Sequence, residues 1–200
     1  TTEFLINLRQ LCDDHKILLI FDEIQSGIGR SGKFFSYEFS GVIPDIVAVA
    51  KGIGGGFPLG CCLATREAAS GMTAGTHGST FGGNPLACAV GIAVLNEIFS
   101  KGFLKSVEDK AKKLRDNLEA LVRHDPATFD SVRGKGLMLG LKCNVENLKI
   151  IEAAYDDKLL LVPAGDNVVR VLPPLNVTAK EISIASERLF ALSDRVRTGF

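Results

Sequence analysis

The chain has 200 residues, with 23 Lys plus Arg against 23 Asp plus Glu, and 46% of its residues are hydrophobic. A net charge of zero argues against nucleic-acid binding, which leaves a basic footprint, and the hydrophobic share argues against disorder. No apolar run approaches the roughly 20 residues of a membrane span, and the N-terminus lacks a signal peptide's basic region. We therefore expect a soluble cytoplasmic protein without a nucleic-acid or membrane partner. Because the chain begins with Thr1, we also expect it to be part of a longer protein.

The cysteines and histidines indicate neither a metal site nor a disulfide framework. The cysteine count is odd, no pair has C-x-x-C spacing, and the three histidines are scattered without H-x-x-x-H spacing. In a reducing compartment such cysteines are free and are expected to be small buried thiols. They are Cys12, Cys61, Cys62, Cys88 and Cys143.

The first hundred residues predict helices alternating with apolar strands. Residues 3–15 carry apolar side chains at helical spacing. Continuous apolar runs are typical of strands buried on both faces, and together with intervening loops they predict an α/β fold with a mostly parallel sheet. These runs lie at 17–21, 45–50 and 59–64.

After a loop at 74–85 that is rich in Gly, Ser and Thr, Asn84 and Pro85 begin a predicted helix to about residue 99. A helix over 103–123 follows, and beyond it the pattern changes to short strands mixed with helices. The strands are predicted at 137–141, 159–162 and 168–172, with helices near 147–157 and from Thr178 onward. We place a boundary near residue 101, so that 1–100 belong to a large sheet domain and 101–200 form a smaller α+β domain.

A glycine-rich stretch at 27–33 offers one functional hypothesis, a nucleotide-binding loop, because it fits two phosphate-binding patterns. Phe34, however, stands where such a loop needs Ser or Thr to hold magnesium. Asp22 and Glu23 lie between the strand and the glycines, where their charges would repel a pyrophosphate. Pro44 follows too soon for the crossover helix of a dinucleotide-binding fold.

The strand ends offer a second hypothesis. Asp22 ends one predicted strand, and Lys51 follows another among glycines. Ligands of open α/β sheets lie beyond the carboxyl ends of the strands. An amine that forms Schiff bases, opposed by a carboxylate that keeps a pyridinium nitrogen protonated, is what pyridoxal phosphate chemistry requires. A structural ion pair, or a solvent-facing lysine, explains the same spacing equally well.

Five ordered motifs resemble the class III pyridoxal-phosphate aminotransferases and cover nearly the whole chain. They are LLIFDEIQSGIGRSGK at 18–33, PDIVAVAKGIGGGFPLG at 44–60, HGSTFGGNP at 77–85, RGKGLMLG at 133–140 and NVVRVLPPL at 167–175. The resemblance implies fold-type I, with part of the large, mostly parallel-sheet domain followed by the C-terminal small domain. It also implies that the chain is the C-terminal half of such an enzyme.

The resemblance assigns cofactor-binding roles residue by residue. Lys51 would form the Schiff base with pyridoxal 5′-phosphate and then move a proton between substrate and cofactor. Asp22 would pair with the pyridinium nitrogen, Ile24 would pack on the ring face, and Gln25 would hydrogen-bond the ring hydroxyl oxygen. Glu23 is grouped with this cofactor-binding turn, where we expect it to support the turn rather than touch the cofactor.

Further roles follow from the same resemblance. Thr80 would reach the cofactor phosphate of the other subunit, Ser79 would lie beside the substrate, and each active site would need both chains of a homodimer. Arg170 would bind the substrate carboxylate, whereas Arg133 would serve a turn. Ordinary loop capping by Ser79 and Thr80, and a surface position for Arg170, are the plainer alternatives.

The implied reaction is the transfer of the terminal amine of N2-acetylornithine to 2-oxoglutarate, as in arginine biosynthesis. Succinyldiaminopimelate, ornithine and 4-aminobutyrate are alternative donors, because we expect the family's distal-carboxylate arginine to lie outside this chain. The resemblance implies that the family's phosphate turn and ring-stacking aromatic lie outside it as well. An aminomutase of the same class fits less well. A nucleotide-binding domain and a truncated, non-catalytic segment that only dimerises are the alternatives from other classes.

Overall fold

The computed structural model describes residues 1–198, which fall into two units, Thr1–Leu104 and the residues from Lys105 onward. The sequence pattern predicts a boundary near residue 101. The assignment of 1–100 and 101–200 to a large and a small domain stays a prediction.

The first unit contains a sheet whose described strands run in the order β1-β2-β3. β1 and β2 are parallel, with Asp22 opposite Ala48, and β2 and β3 are antiparallel. Its elements are α1 (Thr2–His15), β1 (Ile20–Asp22), β2 (Ile46–Ala50), β3 (Gly60–Ala64), α2 (Arg66–Ala69) and α3 (Pro85–Ile98), with 3-10 turns at Ser36–Phe39 and Lys51–Gly54.

Side-chain caps define where the helices begin. The Thr1 hydroxyl accepts a hydrogen bond from the Phe4 amide, and the Asn84 side chain accepts one from the Ala87 amide. Each cap satisfies an amide that has no partner inside the helix. Pro85 occupies the first position of α3, where its missing N–H costs nothing. The predicted start of this helix is confirmed.

The expectation that the apolar runs form strands buried on both faces is wrong for β1 and β3. Leu19 is 6% exposed and packs with Cys12 and Val42 under α1, whereas Ile20 is 58% exposed. The strand also begins at Ile20 rather than at residue 17. All residues of β3 are exposed, because no element of the described chain covers that strand.

Asp45 joins α1 to the sheet. Its Oδ2 accepts hydrogen bonds from the Leu19 amide at 2.7 Å and from the Arg9 guanidinium at 2.8 Å. The same guanidinium also reaches the more exposed Asp13. The hydrogen bond from Leu19, followed by that from Arg9, lowers the pKa of the Asp45 carboxyl.

Asp45→Asn is therefore expected to destabilise the protein by roughly 1–2 kcal/mol at neutral pH, because a charge-assisted hydrogen bond is lost. The pKa of Asp45 in the folded protein lies below its unfolded value of about 3.9. The ionised carboxylate therefore stabilises the fold above the unfolded pKa, and this stabilisation is lost as the pH falls through the folded-state pKa. Denaturant titrations from pH 7 to 3 should show the difference shrinking below about pH 4. Asp13→Asn, which removes the exposed partner of Arg9, should cost less than about 0.5 kcal/mol; equal losses would contradict this account.

The second unit packs an antiparallel sheet, with described strand order β4-β5-β7-β6, against helices. The buried sheet residues Leu139, Leu141 and Val169 lie on one face, whereas Lys142 and Arg170 lie on the other. Its elements are α4 (Phe103–His124, which starts in the first unit), β4 (Phe129–Lys135), β5 (Met138–Cys143), α5 (Asn147–Asp156), β6 (Val162–Ala164), β7 (Val168–Val171) and α6 (Ala179–Thr198).

Two strands differ from the sequence prediction. β4 was not predicted, because Phe129 and Val132 are its only apolar residues and a register shift between Phe129 and Ser131 breaks its alternation. β6 lies at Val162–Ala164 rather than at 159–162, because its position is set by pairing with β7.

The cysteine prediction is correct only in part. Cys12 and Cys143 are buried free thiols, and burial raises the pKa of the Cys143 thiol to about 11. Cys61, Cys62 and Cys88 are exposed. Their elements, β3 and the start of α3, present surface that the described residues leave uncovered.

Across residues 1–198, no single helix has the length and apolar character of a bilayer span, and only α3 and α4 counted together reach that composition.

Candidate active site

Asp22 and Lys51 lie at the same edge of the first unit's sheet. Asp22 is the last residue of β1, and Lys51 directly follows β2. Because these strands are parallel and Asp22 is opposite Ala48, both residues lie at carboxyl ends of strands. The Glu23 amide donates to the Ala48 carbonyl at 2.9 Å, which continues the pairing one residue past β1.

Lys51 is an exposed lysine in an unusual backbone conformation. Its φ is 51°, in the left-handed region that side-chain-bearing residues rarely adopt. It begins the 3-10 turn Lys51–Gly54, and within residues 1–198 its amine forms no hydrogen bond or ion pair. Backbone strain of about 1–3 kcal/mol persists only where surrounding structure enforces it, and it concentrates at functional sites.

Asp22 keeps one carboxylate oxygen available. Its Oδ1 accepts a hydrogen bond from the Ile24 amide at 3.0 Å, which orients the side chain at the strand end. Asp22 and Gln25 are exposed, whereas Ile24 is half-buried. The strand end therefore presents a carboxylate, an amide side chain and an apolar side chain within four consecutive residues.

Glu23 is buried, with 3% of its surface exposed. Its Oε2 accepts from the Ser26 hydroxyl at 2.6 Å, and its Oε1 accepts from the Tyr37 amide at 2.9 Å. Both oxygens are thus used inside the segment that follows β1.

The segment at 27–33 folds as successive tight turns. The Arg30 amide donates to the Gly27 carbonyl, and the Gly32 amide donates to the Gly29 carbonyl. The next helical element is the four-residue 3-10 turn Ser36–Phe39 rather than an α-helix. A phosphate-binding loop needs a helix N-terminus behind its glycines, so the nucleotide-binding hypothesis loses its structural basis.

Ser79 and Thr80 lie apart from the strand ends, in a loop whose residues 71–83 are all exposed. The Ser79 hydroxyl accepts from the Gly82 amide at 3.0 Å. Thr80 has no hydrogen-bond partner among the described residues, and the neighbouring Phe81 is 81% exposed. This loop thus presents a hydroxyl and an aromatic ring to its surroundings.

Arg170 lies in the second unit, on the face of the sheet opposite the core. It stands opposite Gly140 in β5, and Gly140 in turn stands opposite Arg133 in β4. Both arginines therefore lie in one row across the same face, separated by a residue without a side chain. Arg170 is half-buried, whereas Arg133 is exposed.

Asp166 organises the neighbouring cations on this face, and the sequence interpretation did not include it. Its carboxylate accepts hydrogen bonds from Lys142 at 2.7 Å and from Arg133. The hydrogen bond from Lys142 has the larger effect, and together with that from Arg133 it lowers the pKa of the Asp166 carboxyl. Asp166 and Asn167 both have positive φ in the turn between β6 and β7. Asp and Asn tolerate a left-handed backbone, so this pair between two strands favours such a turn.

The strand-end groups fit a cofactor that carries both an aldehyde and a ring nitrogen. Lys51 supplies an amine without an internal partner, and Asp22 supplies a carboxylate oxygen not used by the chain. Lys51 itself is exposed, and of the glycines that follow it Gly56 faces open space. No set of three His, Cys, Asp or Glu side chains within residues 1–198 is arranged to hold a metal ion.

Comparison with known proteins agrees with this donor set. The family model for class-III aminotransferases matches residues 1–192. The chain is 59% identical to the acetylornithine aminotransferase of Mesorhizobium japonicum over 95% of its own length and 48% of that relative's. It is also 59% identical to the acetylornithine aminotransferase of Agrobacterium fabrum, over 90% of the chain and 45% of the relative.

Solved structures give the same result. The N-acetylornithine aminotransferase of Stenotrophomonas maltophilia matches 98% of this chain and 52% of its own with a TM-score of 0.88 and 36% identity. The ornithine δ-aminotransferase of Plasmodium falciparum matches the whole chain and 52% of its own with a TM-score of 0.92 and 26% identity. The chain thus spans about half the length of the relatives that it matches.

Proposed function

Because the chain belongs to the class-III aminotransferases, we propose that the protein containing it transfers the terminal amino group of N2-acetylornithine to 2-oxoglutarate. The products are the corresponding semialdehyde and glutamate, so that the amino group and oxygen exchange between the two substrates. The observation that carries this proposal is the juxtaposition of Asp22 and Lys51 in a chain 59% identical to two acetylornithine aminotransferases.

Pyridoxal phosphate is the cofactor that these residues would hold. When bound, it supplies an aldehyde that amines attack and a pyridinium ring that withdraws electrons from the reacting carbon. Asp22 would keep the ring nitrogen protonated, since one of its carboxylate oxygens is not bound by the Ile24 amide. Ile24 offers an apolar side chain to the ring face, and Gln25 offers an amide to the ring hydroxyl.

Lys51 would provide both the covalent attachment of the cofactor and the proton transfer. A neutral amine is both a nucleophile and a base, so the same nitrogen could hold the cofactor between turnovers and move a proton during each turnover. The left-handed backbone of Lys51 fixes the direction in which its side chain leaves the strand end. Its exposure within the described residues keeps the amine accessible to cofactor and substrate.

The remaining site residues complete the proposal. Arg170 binds a substrate carboxylate, because its planar guanidinium donates two parallel hydrogen bonds. Ser79 lies beside the substrate, and Thr80 contacts the cofactor phosphate held by a second copy of the chain in a homodimer with shared sites. The exposure of the loop at 71–83 and the unpartnered Thr80 hydroxyl support this arrangement. We place the protein in the cytoplasm.

Arg170→Lys is expected to raise KM for the amino donor and for 2-oxoglutarate by roughly ten- to a hundredfold, with a smaller effect on kcat. Lysine keeps the charge but cannot make the bidentate contact. Steady-state kinetics of the complete protein give both constants. Arg133→Lys is the matched control, because Arg133 lies in the same row but binds Asp166. An unchanged KM in Arg170→Lys would remove Arg170 from the substrate site.

Measured turnover with a panel of donors tests the proposed activity. The complete, cofactor-loaded protein is given N2-acetylornithine, ornithine, succinyldiaminopimelate or 4-aminobutyrate with 2-oxoglutarate, and glutamate is measured. We expect kcat/KM for N2-acetylornithine to exceed that for ornithine by at least about tenfold. A higher value for any other donor would keep the transaminase assignment but replace the substrate, and no turnover with any donor would overturn the proposal.

A further inference from the structure

Glu23 is a buried ionisable residue that directly follows Asp22 at the end of β1. We propose that Glu23 is a positioning residue that fixes Asp22 and Lys51 relative to one another. The inference rests on the function proposed above for that pair. Glu23 acts through the segment after β1, because both of its carboxylate oxygens are bound there.

The Glu23 backbone connects the end of β1 to the neighbouring strand β2. Its amide donates to the Ala48 carbonyl at 2.9 Å, which ties the residue after Asp22 to the middle of β2. Its carbonyl accepts from the Gly27 amide at 3.0 Å and closes a tight turn. A Cβ at Gly27 would lie 2.9 Å from that carbonyl oxygen, so this turn excludes any larger residue there.

The Glu23 carboxylate also links parts of the segment that lie farther apart along the chain. One oxygen binds Ser26, three residues along the chain, and the other binds the amide of Tyr37, fourteen residues along. The side chain thus binds residues near both ends of the segment close to the carboxyl end of β1. Removing it would leave a part-buried hydroxyl and a part-buried amide without this acceptor.

The closed segment reaches the turn that carries Lys51. Ile28 is 3% exposed, adopts a left-handed φ of 55°, and packs in one cluster with Val49 and Ile53. A Cβ added to Gly52 would lie 3.5 Å from the Ile28 Cβ, so Ile28 sits directly against the residue after Lys51. A β-branched residue keeps a left-handed backbone only when its surroundings impose it. Here the turns on either side of Ile28, in the segment that Glu23 closes, act together with its packing against Val49 and Ile53.

The two groups that donate to Glu23 are the Ser26 hydroxyl and the Tyr37 amide, so variants can remove neither, one or both of these hydrogen bonds. Glutamine at position 23 accepts from the Tyr37 amide with its oxygen and donates to the Ser26 hydroxyl with its nitrogen, so it retains both links. Alanine retains neither. Ser26→Ala removes only one of them. Glu38 provides a matched control in the same segment, because it is an exposed glutamate that accepts only locally, from the Phe35 amide.

The experiment compares the complete protein with its Glu23→Ala, Glu23→Gln, Ser26→Ala and Glu38→Ala variants. Three quantities are measured: the dissociation constant for pyridoxal phosphate, the midpoint of the pH dependence of the bound cofactor's visible absorbance, and the melting temperature. A purely structural role would change the melting temperature without moving the spectral midpoint of the cofactor-saturated protein. The midpoint depends on how Asp22 and Lys51 are positioned relative to the bound cofactor.

We expect Glu23→Ala to weaken cofactor binding by at least about tenfold and to move the midpoint by at least about half a pH unit. Ser26→Ala should move it less in the same direction, whereas Glu23→Gln and Glu38→Ala should match the wild type within about threefold in affinity. If Glu23→Ala does not fold, a shift in Ser26→Ala together with rescue by Glu23→Gln supports the inference.

Unchanged midpoints in every variant that folds would overturn the inference while leaving the proposed function intact. A wild-type protein that shows no absorbance of bound cofactor would instead overturn the proposed function, and the inference with it.

Discussion

Lys51→Ala is expected to reduce transamination by the complete protein by roughly 10⁴-fold or more, because one substitution removes both the nucleophile and the proton carrier. Lys51 is the amine at the strand end that has no partner within residues 1–198. Its loss should leave the fold intact, since the side chain is exposed and packs on no core cluster. Glutamate production by the cofactor-saturated protein measures the effect.

Two further variants make this test specific. Lys51→Arg should be equally inactive, because a guanidinium stays protonated and cannot act as a base. Lys101→Ala removes another exposed lysine of the first unit and should retain full activity. More than about a hundredth of wild-type turnover in Lys51→Ala would contradict the role assigned to Lys51.

Asp22→Asn is expected to lower kcat by roughly 10²- to 10³-fold, as the removal of one preorganised electrostatic contact does in other enzymes. Asparagine retains an oxygen that can accept from the Ile24 amide, so the turn after β1 should keep its shape. The substitution removes the charge that, in the proposed role of Asp22, keeps a proton on the ring nitrogen. Single-turnover measurements of the donor half-reaction isolate this effect from product release.

Asp14→Asn is the control for a change of one surface carboxylate, because Asp14 is exposed at the end of α1 and its side chain hydrogen-bonds, among the described residues, with Gln10 alone. It should leave kcat unchanged. A kcat for Asp22→Asn within about fivefold of the wild type would show that the carboxylate does not act on the ring nitrogen.

The sequence was most informative where local chemistry decides structure. Asn84 and Pro85 mark the start of α3 because a side-chain cap and a fixed φ act within one turn. Asp22 and Lys51 stand out because apolar runs end at them, and the parallel pairing of β1 and β2 brings the two ends together. Family resemblance added the class of chemistry, which residue spacing left open.

Features that depend on distant residues were not predicted. β4 forms because β5 lies beside it, although its own pattern is weak. Ile20 looked like a core residue but is exposed, because hydrophobicity does not tell which face is covered. The link from Glu23 to Tyr37 spans fourteen residues and no local motif encodes it. Asp166 was missed for the same reason, because its partners Arg133 and Lys142 lie on β4 and β5, whereas Asp166 lies in the turn before β7.

Mapping the lysine that binds pyridoxal phosphate tests the central claim most directly. The complete protein is loaded with the cofactor and reduced with borohydride, which makes the bond between cofactor and amine permanent, and the labelled peptide is identified by mass spectrometry. The account predicts a single stoichiometric label on Lys51 that is absent from Lys51→Ala. A stoichiometric label on another lysine, or an active protein unlabelled at Lys51, would contradict it.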